Sequence, residues 1–247
     1  MTQKMLKNMS VFSLLLSILF PQNSSLAENP DNFALEREEM VARQIVRRGI
    51  SDERVLQAMR TVPRHLFVPE REKSRSYTDS PLLIGENQTI SQPYIVAYMT
   101  EALELKKTDK ILEIGTGSGY QAAILGEIVR EVYTIELIPV LGNRAGKLLE
   151  ELGYDNIHVR VGDGYKGWPE KAPFDAVIVT CAPENIPEAL VKQLREGGKM
   201  IIPVGGRYET QTLYRGVKKN GTLTIEDVMR VRFVPMVGGA APSKSDR

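Results

Sequence analysis

The chain of 247 residues has one cysteine, Cys181, and two histidines, His65 and His158. One cysteine excludes an internal disulfide, and these three ligands at these spacings do not build a structural zinc site. No metal is expected. Charge of one sign is lacking too, with 32 Lys and Arg against 31 Asp and Glu. A dedicated nucleic-acid binder carries a basic excess, so no nucleic-acid partner is expected. No apolar run reaches the ~20 residues that span a bilayer, so no stable membrane association is expected. Repeats and low-complexity blocks are absent. What is present is an ordinary globular composition, 42% hydrophobic and 26% charged. It suffices for one sizeable core and falls short of two domains.

The N-terminus stands apart. Lys4 and Lys7 precede the apolar run Val11 to Phe20, and Ser25-Leu26-Ala27 precede Glu28. That order matches a secretory signal; the plainer alternative is a leader ahead of the true start. Residues 1–27 are left out of the fold on both readings.

Helices are expected at 33–48, with Asp31 or Asn32 as cap and Gly49 as stop, and at 52–60 behind a Ser51 cap. Residues 70–92 read as irregular, and Pro93 opens a helix to about Leu105. Beyond Lys110, strands at 111–114, 131–135, 156–161, 174–180 and 199–204 alternate with helices at 119–129, 139–152 and 187–194. Alternation of this kind predicts an α/β fold, a mostly parallel sheet with helices on both faces. Two longer strands, 210–217 and 222–234, meet at Asn220-Gly221 as an antiparallel hairpin closing the sheet edge.

The motif Glu113-Ile114-Gly115-Thr116-Gly117-Ser118-Gly119-Tyr120 follows a predicted strand and opens a predicted helix. Nucleotide loops need that context. A dinucleotide loop wants a third glycine where Tyr120 stands, which argues against a nicotinamide dehydrogenase. The spacing Gly115-x-Gly117-x-Gly119 led by Glu113 is the pattern of S-adenosylmethionine methyltransferases, with Thr116 inside the loop. Glu113 is then expected to help hold the cofactor's ammonium. Glu136, at the end of the second strand of the α/β region, is expected to accept from the ribose hydroxyls. Asp163 and Gly164, ending the third, are expected at the adenine. The plainer alternatives are a glycine-rich turn, a surface charge and an Asp-Gly turn; three hits at successive strand ends favour the cofactor, S-adenosyl-L-methionine, with S-adenosyl-L-homocysteine as product.

After the fourth strand stands Thr180-Cys181-Ala182-Pro183, which lacks the Asn-Pro-Pro-Tyr type motif of nitrogen methylation. Cys181 reads as a small strand-end side chain rather than a nucleophile, since no histidine lies near it in sequence.

Ahead of the glycine loop lie Pro63-Arg64-His65-Leu66-Phe67-Val68-Pro69, Tyr77-Thr78-Asp79, Ile84-Gly85 and Gln88-Thr89-Ile90-Ser91-Gln92-Pro93. Together with the glycine loop, 180–187, Gly197-Gly198, Pro203-Val204-Gly205 and Val231-Arg232-Phe233-Val234-Pro235, these closely resemble the protein-L-isoaspartate O-methyltransferases. The resemblance covers about residues 35–239 and departs at the leader and the last residues. It implies a Rossmann-like class I methyltransferase fold with its last strands in a modified order. The implied activity is repair: methylation of the stray α-carboxylate of isoaspartyl residues in damaged proteins and peptides, then succinimide, then some normal aspartate.

By the same resemblance Ser91 is the active-site residue. Its hydroxyl can donate to the acceptor carboxylate; the alternative is a helix cap before Pro93. Thr89, Ile90, Val231 and Phe233 are candidate substrate contacts, with edge-strand packing the alternative for the last two. Asp79 reads as structural first, and His65 as packing. The implied organisation is a substrate-side helical region at 28–108, a cofactor-binding core at 109–239 in the same domain, and a tail at 240–247. A monomer is expected. Cofactor supply and family point to the cytoplasm, and the leader points to export. Another carboxyl or small-molecule methyltransferase, or a non-catalytic binder on this fold, remains the competing reading.

Overall fold

A computed structural model describes residues 33–206 and 209–239. The signal-like leader and the tail lie outside the described residues.

The first helix, α1, spans Ala34–Met40 and runs on through a π turn, Val41–Ile45, and a 3-10 turn, Val46–Arg48. The sequence predicts one helix here. The widened turn sets Met40 and Ile45, five residues apart, on one face, and both are buried. Gly49 stops the path at φ 94°. The next helix, α2, spans Glu53–Thr61. Its cap is Asp52, which accepts from the Arg54 amide, and not Ser51. The Ser51 amide is instead bound by the Glu101 carboxylate, 2.7 Å away.

Residues 70–92 are not wholly irregular. They hold an antiparallel pair, β1 (Leu82–Gly85) and β2 (Gln88–Ile90). Glu86 and Asn87 turn the chain with φ of 51° and 55°, the left-handed pair of a tight hairpin turn. Leu82 and Ile84 are buried while Leu83 faces out. Helix α3, Pro93–Ala102, follows directly.

The core sheet then builds in order: β3 (Lys110–Ile114), α4 (Tyr120–Gly126), β4 (Glu131–Glu136), α5 (Pro139–Glu151), β5 (Ile157–Val161), β6 (Phe174–Val179), α6 (Glu188–Gln193), β7 (Leu194–Val204), β8 (Gln211–Lys219) and β9 (Thr222–Val231). The strands lie side by side as β5-β4-β3-β6-β7-β8-β9. The first five are parallel, and β8 and β9 are antiparallel to their neighbours. The predicted α/β class and the edge hairpin are both present. Ile111, Ala176, Ile178 and Ile201 pack on one face, and Leu112, Ile114, Val177, Val179 and Met200 on the other. Strands buried on both sides are continuously apolar, which is why they could be read.

The chain leaves β3 toward β4 and β5, then returns to β6 on the other side of β3. A crevice opens where that direction reverses, at the carboxyl ends of β3 and β6. β9 stops at Val231, short of the predicted 234. There Gln211 takes over, accepting from the Phe233 amide at 2.8 Å. The chain then crosses to Ala182, which exchanges bonds with Val234 and Met236, both 2.8 Å. Among the described residues no helix is long and apolar enough to cross a membrane, and no cluster of His, Cys, Asp and Glu could hold a metal ion.

Candidate active site

A cleft sits over the carboxyl ends of β3, β4 and β6, with polar groups and apolar side chains converging on it. The glycine loop forms its floor. The Gly115 and Thr116 amides both reach the Ile135 carbonyl, at 2.9 and 3.2 Å, anchoring the loop to the end of β4. Gly115 has φ 100°, and a Cβ on it would overlap the Thr180 hydroxyl. That hydroxyl donates toward the Gly115 and Ile114 carbonyls, 2.7 and 3.0 Å away. Gly117 has φ 54°, and a Cβ on it would touch Ile84 Cδ1 at 3.5 Å. Gly119 turns away from the cleft, where a Cβ would press on Ala145 and Leu149 of α5 at 3.3 Å. It serves close helix packing.

Glu136 ends β4 inside the cleft. One carboxylate oxygen accepts from the Gly117 amide at 2.7 Å and the other from Ile138 at 2.9 Å. A carboxylate has about four acceptor positions, so two remain. Glu113 does not line the cleft; it is fully buried, and neither oxygen has a hydrogen-bond partner. Burial pushes its pKa up to about 8; the Thr134 hydroxyl opposes the rise, and the Glu136 charge adds to it.

A raised carboxyl pKa has a defined consequence for stability. Between about pH 4.5 and 8 the folded form keeps a proton that the unfolded chain has lost. This group's contribution to stability therefore falls as pH rises through that window. The Tm of the cofactor-free protein should gain in Glu113→Gln at pH 8 relative to wild type, and the gain should vanish near pH 4.5. A thermal melt series across pH checks this; a difference that does not change with pH would contradict it.

Gly164 lines the cleft, and a Cβ there would sit 2.5 Å from Ile114 Cγ2. Asp163 lies outside the lining. Its carboxylate accepts from the amides of Tyr165 and Gly239, both at 3.0 Å, tying this turn to the C-terminal segment.

Thr89, Ile90 and Ser91 form a facing wall. The helix cap of α3 is Gln92, with no side-chain cap bond. Ser91 is not that cap, and among the described residues its hydroxyl has no hydrogen bond. Its carbonyl accepts from Arg64 at 2.6 Å. Asp79 accepts from Gln92 at 2.8 Å and pairs with Arg48 at 3.0 Å, steadying the residue after Ser91. His65 stacks on Phe33 at 4.3 Å, a packing position.

Val231 and Phe233 do not line the cleft. Val234 to Val237 do, carried there by the crossing to Ala182. Gln88, from the segment that carries Ser91, also lines it, as do Gln121, Leu137 and Ile138, which the sequence does not mark. The periodicity of Leu137-Ile138 gives no sign that they flank a ligand site. Cys181 lines it as well. Burial, with Glu136 and Glu113 nearby, pushes its thiol up to about 12, so the thiolate a nucleophile needs does not form at neutral pH.

The family model for protein-L-isoaspartate(D-aspartate) O-methyltransferase (PCMT) matches residues 35–241. The chain belongs to that family. It is 56% identical over 200 residues to the protein-L-isoaspartate O-methyltransferase of Opitutus terrae, covering 81% of this chain and 86% of that one. To protein-L-isoaspartate O-methyltransferase 2 of Shewanella sediminis it is 48% identical over 240 residues, 96% of this chain and 98% of that one. A solved beta-aspartate methyltransferase (PCMT) structure from Plasmodium falciparum, in complex with S-adenosyl-L-homocysteine, superposes with a TM-score of 0.70 at 28% identity, covering 81% of this chain and 98% of that one. The family's S-adenosylmethionine fits the cleft: the glycine cradle has no room for side chains at 115 and 164, and Glu113 presents an unpaired buried carboxyl beneath the loop.

Proposed function

We propose that this protein methylates the α-carboxylate of L-isoaspartyl residues in damaged proteins and peptides. The observation that carries the choice of acceptor is the absence of a base among the described residues of the cleft. Its ionisable side chains are Tyr120, Glu136 and Cys181. Burial holds the tyrosine and the thiol at about 12 each, and Glu136 is bound to the loop. An amine or hydroxyl acceptor must lose a proton to a base. A carboxylate is already ionised at neutral pH and needs only to be held in line.

S-adenosylmethionine supplies a sulfonium methyl already activated for displacement. The chain's own residues bind and orient. Glu136 uses its remaining acceptor positions for the ribose hydroxyls. Glu113 faces the ammonium end through the loop, with Gly115, Thr116 and Gly117 giving close backbone approach. Gly164 admits the adenine, and Asp163 acts on that end by holding its turn. Ser91 donates its hydroxyl to the acceptor carboxylate, while Thr89 and Ile90 flank the peptide. Val234 to Val237 close the cleft from the other side and keep water out.

The methyl ester is a better acyl electrophile than a carboxylate, because its methoxy group can leave as methanol. The next backbone nitrogen attacks it, methanol leaves, and the succinimide opens with water to give some normal aspartate. Incubating an isoaspartyl peptide with enzyme and cofactor should therefore yield succinimide and then aspartyl peptide by chromatography. An unchanged isoaspartyl peptide would contradict the proposal. Glu136→Ala should raise the Kd for S-adenosyl-L-homocysteine at least about tenfold, since two charged acceptor contacts and the anchor of the Gly117 amide go together. Calorimetry showing the wild-type Kd would remove the ribose role.

Of the described residues, those from 33 to 108 make the acceptor side and those from 109 to 239 the cofactor side of one domain, working as a monomer. The compartment we propose is the cytoplasm, where the cofactor is made. Recovery of a mature chain beginning after Ala27 from an exported fraction would reverse that assignment.

A further inference from the structure

Arg64 is fully buried. Its Nε donates to the Ser76 carbonyl at 2.7 Å and one terminal nitrogen to the Ser91 carbonyl at 2.6 Å. The other terminal nitrogen has no partner. Its guanidinium lies 4.8 Å from the ring centre of Tyr120, which lines the cleft. Among the described residues no carboxylate forms an ion pair with it. Desolvation lowers its pKa to about 10, so it remains charged at neutral pH. An unpaired buried charge is costly, and two carbonyls can be satisfied by neutral donors. The fold supplies two carbonyls and the face of the Tyr120 ring, and no negative charge, to the guanidinium behind Ser91.

We propose that Arg64 is a positioning residue that makes the acceptor end of the cleft selective for a carboxylate, by fixing the Ser91 backbone and by setting an uncompensated positive charge behind it. The acceptor's negative charge completes the missing pair. A buried charge acts on a neighbouring site far more strongly than an exposed one, because little water screens it. This rests on the isoaspartyl reading above and adds the group that discriminates by charge.

The test compares binding of two peptides, one carrying the isoaspartyl α-carboxylate and the other its neutral α-carboxamide, to wild type, Arg64→Gln and Arg64→Lys. S-adenosyl-L-homocysteine binding reports whether each variant is folded. Arg64→Gln should weaken the carboxylate peptide by roughly tenfold or more and the carboxamide by less than about twofold. Arg64→Lys should recover part of the difference. Equal losses for both peptides would mean a packing role only and overturn the proposal. Should Arg64→Gln fail to fold, Ser91→Ala decides, since it keeps the backbone carbonyl that Arg64 holds. A carboxylate preference that persists in Ser91→Ala supports the charge of Arg64, and its complete loss overturns it. A wild-type protein with no preference would bring down the isoaspartyl reading as well, whereas a wild-type preference that survives Arg64→Gln brings down only this one.

Discussion

Gly115→Ala is expected to weaken S-adenosyl-L-homocysteine binding at least about 100-fold and to lower the Tm by roughly 6–10 °C. The position has φ 100°, a conformation that side chains rarely adopt, and the new Cβ would overlap the Thr180 hydroxyl. Thr180 cannot simply turn aside, because it donates toward the carbonyls of Ile114 and Gly115. Backbone strain of about 1–3 kcal/mol adds to lost bonds of about 1–3 kcal/mol. A total near 3 kcal/mol corresponds to that Tm change in a chain of this length. Gly153→Ala is the control. It has φ 80° and nothing within 4 Å of the new Cβ, so it carries strain without collision and should leave cofactor affinity alone. Calorimetry and thermal melts on both variants separate the two effects; wild-type affinity in Gly115→Ala would refute the cradle.

Ser91→Ala is expected to lower kcat by about 30- to 100-fold while the cofactor Kd stays within about twofold. A hydrogen bond to a charged group contributes about 1.5–3 kcal/mol, and removing it also frees the acceptor to leave its line of attack. The Tm should hardly move, because the cap of α3 is Gln92 and the Ser91 hydroxyl serves no helix amide. Steady-state kinetics with an isoaspartyl peptide check this. Unchanged turnover would leave Ser91 with its carbonyl contact to Arg64 and no part in holding the acceptor.

Much of this architecture is legible in the sequence because its signals are local. β3, β4 and β6 are short, mostly apolar runs with both faces covered. Glycine spacing at 115, 117 and 119 reports backbone shape directly, as positive φ at all three positions bears out. The carboxylates follow from strand ends, since a residue that ends a strand beside the glycine loop has few other places to be. What was not legible depends on partners far along the chain. The path of Val234 to Val237 over the cleft is set by Gln211 and Ala182, and nothing local in Val-Pro-Met-Val announces it. The β1–β2 pair hid behind Pro81 and Gly85 and turned at Glu86-Asn87, without the glycine that marks such turns. Arg64 stood within the family motif, yet only the fold puts its guanidinium against Ser91 and leaves it without a carboxylate. Asp163 stands just past β5 as the sequence expects, and its bond from Gly239, far along the chain, has no local signal.

The acceptor is decided with S-adenosylmethionine labelled in its methyl group and two synthetic peptides that differ only in an isoaspartyl or aspartyl linkage at one position. Base-labile label is expected on the isoaspartyl peptide alone. Equal label on both peptides, or none on either while the cofactor still binds, would contradict the isoaspartyl carboxylate as acceptor.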